Sequence, residues 1–223
     1  MIPDSLGAVT QAVWFALAAL ALVAGAVLLV LDARRRTARS RARRDWASAH
    51  GLRFASADPV ITAQFSFGVF TRGGAGRALD LATGPLAGTT VHVFDLEQRG
   101  SVTATVIAVQ RPAASATVLE LRLNTSDAPP EAGADLLGPV GARFAFTSDL
   151  ESARRAVDQR MVILADAIGT DVPVVWGEGV WVLAAVSAAA GPQRWDEVIT
   201  VLGRFADLLR VLPPAEAAGS RRG

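Results

Sequence analysis

The chain is 223 residues long, apolar at 51% of its positions, free of cysteine and formally +1. That length suits one membrane anchor plus one core of about 100 to 150 residues, and the missing thiols exclude a disulfide framework and any thiolate metal site. The small net charge hides a division: −1 before the main apolar run, +6 over residues 32–44, −5 over residues 45–213 and +1 in the tail. An acidic folded part argues against a nucleic-acid partner, which needs clustered positive charge on the surface.

Residues 12–31, "AVWFALAALALVAGAVLLVL", hold no charge over 20 positions. At about 1.5 Å per residue they match a hydrocarbon core of roughly 30 Å. A secretory signal places its positive charges before the apolar run and a cleavage site after it. Here Asp4 precedes the run and Arg34, Arg35 and Arg36 follow it, so the span is read as permanent. Arginines close to a span stay on the cytoplasmic side. The expected organisation is a short extracytoplasmic N-terminus (residues 1–11), a transmembrane helix (12–31), a basic juxtamembrane helix (32–50), a cytoplasmic α+β domain (51–213) and a disordered tail (214–223). Arg34, Arg35, Arg36, Arg39, Arg41, Arg43 and Arg44 point to all sides of a helix when each residue advances 100°. They read first as a topology signal and second as contacts to anionic lipid, at about 1 kcal/mol each near the surface. Ala21 and Gly25 form a small-xxx-small pair, a weak sign of helix pairing in so alanine-rich a run.

The juxtamembrane helix is expected to continue through "RDWASAH" and stop at Gly51, which accepts the left-handed conformation, with Trp46 and Ala49 packing on the domain. "LRFAS" reads as a strand, and "DPVITAQF" as a helical turn capped by Asp58 with Pro59 behind it. After "TRGGAGR" come "ALDLAT" and "TTVHVFDL", separated by "GPLAG", then "SVTATVIAVQ" and "TVLELRLN", separated by "RPAASA". Their β-branched content, alternation and Gly/Pro punctuation predict antiparallel strands in hairpins forming a sheet with one buried face. "TSDAPPEAGADLLGPVGA" reads as a surface loop with a short helical turn, "RFAFTS" as a strand, and "DLESARRAVDQRMVILADAIG" as one helix or two. "VPVVWGEGVWVLAAVS" reads as a hairpin turning at residues 177–179, flanked by Trp176 and Trp181. The last helix is the clearest: Trp195, Val198, Ile199, Leu202, Phe205, Leu209 and Leu212 recur at three and four, and Pro213 ends it. The fold class is α+β, an antiparallel sheet behind one transmembrane helix with a C-terminal amphipathic helix across it. A small pleckstrin-homology-like barrel closed by that helix is the alternative.

Trp46, then Gly51, Leu52 and Phe54, then Asp58-Pro59 and Phe65, then a hairpin carrying Phe94-Asp95, then Trp181 before a C-terminal helix, make up a pattern over nearly the whole chain. In this pattern the chain resembles a family of uncharacterised actinobacterial single-span membrane proteins with a cytosolic α+β domain. It departs from the family's usual pattern in having Leu96 where a Tyr commonly follows Phe-Asp. The resemblance implies the architecture and brings no activity or catalytic residue.

Chemistry is sparse. General acid–base work usually recruits His, and only His50 and His92 exist. His50 beside Gly51 reads as closing a helix end. His92 alternates with Phe94 and Leu96 on one strand face, opposite Val91, Val93 and Asp95. No nucleophile sits in an elbow or triad context. "TRGGAGR", bracketed by Arg72 and Arg77, reads as a flexible turn before an anion cradle, since it lacks the Lys-Ser/Thr of a phosphate-binding loop. Asp80, Asp95 and Glu97 do not make ligand spacing for a metal, so no cofactor or metal is expected. The expected function is a non-catalytic interaction or scaffold domain on the cytosolic face, its partners the bilayer and a membrane or cytosolic protein. The second reading is a lipid-headgroup or small-ligand module using Arg72, Arg77 and His92. The third is a hydrolase-type enzyme resting on His92 with Asp80 or Asp95.

Overall fold

The computed structural model describes residues 5–71, 76–123 and 134–215, which divide into two compact units, 1–41 and 42–223. Helix α1 (Ser5–Ala49) supplies all of the first described unit and the start of the second. It is long and apolar enough to cross a membrane by length and composition. Within the first unit Trp14, Phe15, Leu22 and Leu29 are exposed, an arrangement that hydrocarbon satisfies and water does not. The helix ends as expected. Gly51 takes φ +68°, and the Leu52 N–H reaches the Ala47 carbonyl at 2.8 Å, the bond that closes a helix through a left-handed residue.

Seven antiparallel strands follow: β1 (Arg53–Asp58), β2 (Arg77–Leu86), β3 (Thr89–Gln98), β4 (Ser101–Leu123), β5 (Asp135–Val140), β6 (Arg143–Thr147) and β7 (Val174–Val186). Their order is β1-β2-β3-β4-β6-β5, with β7 on the free edge of β4. The β2–β3 turn is only Ala87-Gly88, both at positive φ, the geometry that matches strand twist. Asp58 caps the 3-10 turn after β1, accepting from the Val60 and Ile61 N–H groups at 2.8 and 3.0 Å. Among the described residues the sheet ends on edges at β1, β5 and β7, an open sheet in place of the closed barrel of the alternative reading.

Four expectations are corrected. The runs on either side of "RPAASA" are one 23-residue strand, β4, and those on either side of residues 177–179 are one 13-residue strand, β7. Gly and Pro here mark bulges instead of turns: residues 110–119 of β4 are opposed by only residues 177–181 of β7, and the surplus bends the ribbon. The expected loop at "DLLGPV" is strand β5; the short helical turn expected within the same stretch is not found in its described part, and its residues 125–133 lie outside the described ones. Both faces of the sheet are buried, where one was expected. Val91, Val93, Ile107, Val109, Val182 and Ala184 share one core, while Phe94, Leu96, Val106, Leu183 and Ala185 share the other, which is the period-2 alternation of a covered sheet.

The first core lies under the end of α1, α2 (Leu150–Ala156), α3 (Gln159–Ala167) and α4 (Pro192–Leu208). Asp149 and Asp158 cap α2 and α3. Trp195, Val198, Leu202 and Phe205 of α4 are buried, worth about 1.5–3 kcal/mol each. The second core is covered by the 3-10 turn (Ile61–Gln64) and the segment behind it, which brings Phe65 and Phe70 onto Phe94 and Trp176. Glu178 holds this segment by accepting from the Ser66 and Phe67 N–H groups at 2.6 and 3.3 Å.

Candidate functional site

The last two turns of α1 belong to the folded domain. Trp46 and Ala47 are buried and Ala49 is exposed, so Ala47 takes the packing place expected of Ala49. Arg43, one turn earlier on the same face, is 1% exposed. Its guanidinium donates to Asp95 Oδ1 at 2.7 Å and to Thr105 Oγ1 at 3.2 Å, reaches the Asp80 carbonyl at 3.4 Å, and lies 4.7 Å above the Trp195 ring. Asp95 follows Val91 and Val93 on the buried face of β3, opposite Thr105. An unpaired carboxylate there would be prohibitive. Trp46 Nε1 donates to Asp196 at 2.9 Å, and His50 closes the helix end, its Nδ1 2.9 Å from the Trp46 carbonyl. Arg43 is therefore a structural cation, which corrects its expected role as a lipid contact. Arg34, Arg35, Arg36, Arg41 and Arg44 are exposed and Arg39 is half-buried, with Arg36 paired to Asp32 at 2.8 Å.

Of the three residues assigned to a ligand, the two described ones, Arg77 and His92, do not come together. Arg72 lies outside the described residues. Arg77 opposes Glu97 and is ion-paired with it at the end of β2. His92 opposes Thr83 five residues back along β3, roughly 17 Å away at strand spacing. Its Nδ1 lies 2.7 Å from Thr83 Oγ1 and its ring 4.4 Å from that of Trp181. Desolvation pushes its pKa down to about 4 against the opposing pull of Asp58, leaving a neutral imidazole and a weak base at pH 7. Among the described residues no group of three His, Asp or Glu is placed to hold a metal ion.

A cleft of about 800 Å³ opens where the β2–β3 turn, the bend of β4 and α4 meet. Thr89 and Thr90 line one wall, Gln110 and Arg111 the floor, Asp207 and Arg210 the other wall. Arg111 is buried, donating to the Gly179 and Leu209 carbonyls at 3.2 and 2.8 Å, and burial lowers its pKa. Asp207 and Arg210 pair at 2.9 Å. Just beyond the floor, Ser115 donates to the Pro213 carbonyl at 2.8 Å and pairs with Pro214, so Pro214, expected in a disordered tail, is pinned; residues 216–223 lie outside the described ones. Sequence reasoning missed this cleft because its residues come from three distant stretches, which the β3–β4 pairing and the packing of α4 on β4 bring together.

The family model described as trehalose monomycolate transport factor TtfA matches residues 10–222. Trehalose monomycolate transport factor A of Mycolicibacterium smegmatis is 36% identical over 208 residues, covering 93% of this chain and 73% of that protein. The crystal structure of the mycobacterial trehalose monomycolate transport factor A superposes with a TM-score of 0.73 at 34% identity, covering 79% of this chain and 97% of that one. These matches agree with the single-span, actinobacterial part of the resemblance read in the sequence and correct the rest: the family is a characterised one.

Proposed function

The chain belongs to the trehalose monomycolate transport factor TtfA family, and from that premise we propose that it is a membrane-anchored, non-catalytic accessory factor in the transport of a trehalose monomycolate-type glycolipid. The family match over residues 10–222 carries the reading. Its domain faces the cytosol, supported by Asp4 before the apolar run and Arg34, Arg35 and Arg36 directly after it. It acts by engaging a membrane protein of the transport machinery, and confinement to the bilayer raises its effective concentration toward such a partner, so modest affinity suffices. A non-catalytic role is supported by the neutral, half-buried state of His92. The exposed arginines of the neck serve as topology signal and anionic-lipid contact.

Depletion in the chain's own host, followed with labelled trehalose, tests the proposal. The expected result is trehalose glycolipid retained in the inner membrane, restored by the full chain, with a membrane protein captured on the tagged chain from solubilised membranes. Unaltered glycolipid distribution on depletion would refute the transport role.

A further inference from the structure

We propose that the cleft between the β2–β3 turn and α4 is a binding site for a neutral, polyhydroxylated sugar headgroup of disaccharide size. The inference deepens the transport reading and rests on it for the choice of sugar. Three observations on the domain itself point to a ligand.

The first is size. About 800 Å³ falls within the roughly 300–1,000 Å³ of small-molecule sites. The second is Gly203, in the middle of α4 and in the cleft wall. A mid-helix glycine costs about 1 kcal/mol against alanine. Gly203 has no compensating close approach, since a Cβ built there meets nothing within 4 Å. The fold alone therefore does not account for the missing side chain at Gly203; a ligand lying against it does.

The third is the polar lining. Donors and acceptors are mixed, and neither cation is open to the cleft without a partner or burial. Arg210 is paired with Asp207, and Arg111 is turned onto two main-chain carbonyls with its Nε buried and without a partner among the described residues. An anion in the cleft would meet Arg210 already paired and Arg111 only 5% exposed. Sugar hydroxyls, each donor and acceptor at once, match Thr90, Gln110, the paired Asp207 and Arg210, and the lone pairs of Thr89, whose hydroxyl donates to the Gln110 carbonyl at 2.7 Å. Pro85 and Pro112, both exposed, offer apolar surface to the C–H face of a ring.

The test is saturation-transfer NMR on the full chain in nanodiscs, with free trehalose, a short-chain trehalose monoester and inorganic phosphate as probes. Gly203→Leu is the variant. It improves helix propensity and enters open space, so its Tm is expected to hold or rise while it fills the cleft. Transfer to trehalose or the ester that weakens at least tenfold in Gly203→Leu, with Tm kept, is the expected result. Stronger transfer to the ester assigns the site to a lipid headgroup, and equal transfer assigns it to the sugar alone. No transfer to either, transfer unchanged by Gly203→Leu, or tighter phosphate binding overturns the proposal. The depletion experiment reads separately: a chain that restores glycolipid transport without binding sugar ends the cleft reading only, and one that binds sugar but is dispensable for transport ends the transport reading only.

Discussion

Replacing Asp95 with Ala leaves the Arg43 guanidinium buried without its counter-ion. The side chains are 2% and 5% exposed and 2.7 Å apart, so neither charge is screened by water. Breaking a buried pair by removing one partner costs about 3–5 kcal/mol, a large share of the roughly 5–15 kcal/mol that holds a domain together. For a domain of this size that is a fall in Tm of roughly 6–20 °C. Removing both charges with size-matched residues, Arg43→Met with Asp95→Leu, is expected to recover most of the loss, because the desolvation penalty disappears with the charges. The Thr105 hydroxyl then loses both partners and keeps the double variant from full recovery, at about 1–3 kcal/mol. Unfolding of the full chain in detergent micelles, followed by tryptophan fluorescence, reads the effect locally, since Trp46 and Trp195 sit 5.5 Å apart beside the pair. A coupling energy of at least about 3 kcal/mol is expected from the cycle of Arg43→Met, Asp95→Leu and the double variant. A loss below about 1 kcal/mol for Asp95→Ala, or losses that simply add, would refute the assignment of Arg43 as the buried cation that seats the helix end.

His92 binds its proton at 6.5 in an unfolded chain but only near 4 when folded. Its contribution is therefore fully present above pH 6.5 and is lost as pH falls toward 4, by up to about 3 kcal/mol. His92→Gln should flatten that part of the stability curve, measured by denaturant unfolding between pH 7 and 4.5; an equal slope in both proteins would contradict the burial argument. Two glycines with nearly the same φ, +68° at Gly51 and +67° at Gly68, separate backbone strain from space. Gly51→Ala meets nothing within 4 Å and should cost about 1–2 kcal/mol of left-handed strain. At Gly68 the new Cβ falls 2.5 Å from the Trp176 ring, so about 1–3 kcal/mol of overpacking adds to the strain. Equal losses in thermal unfolding would show that Trp176 yields freely.

Where one residue type has one dominant use, the fold was legible. Gly51 had to end a helix, Asp58 had to cap a turn, and the three-four spacing from Trp195 to Leu212 had to lie on a sheet. Punctuation misled at Pro112 and at residues 177–179, because Gly and Pro mark turns and bulges alike and only the partner strand decides between them. Arg43 was lost among seven arginines on a helix without a basic stripe. The signal was nonetheless present: Arg43 stands three and four residues before Trp46 and Ala47, and Asp95 continues the buried stripe of Val91 and Val93. A lone carboxylate in an apolar stripe calls for a cation. The cleft left no local trace beyond Gly203, a glycine in the middle of an otherwise strong amphipathic helix.

The measurement that bears most directly on the proposed cytosol-facing transport role is protease accessibility in sealed spheroplasts carrying a tag after Gly223. Protection of the domain until the membrane is permeabilised is the predicted result, placing it with cytosolic and inner-leaflet partners. Cleavage in intact spheroplasts would contradict the charge argument and turn the domain toward the cell envelope.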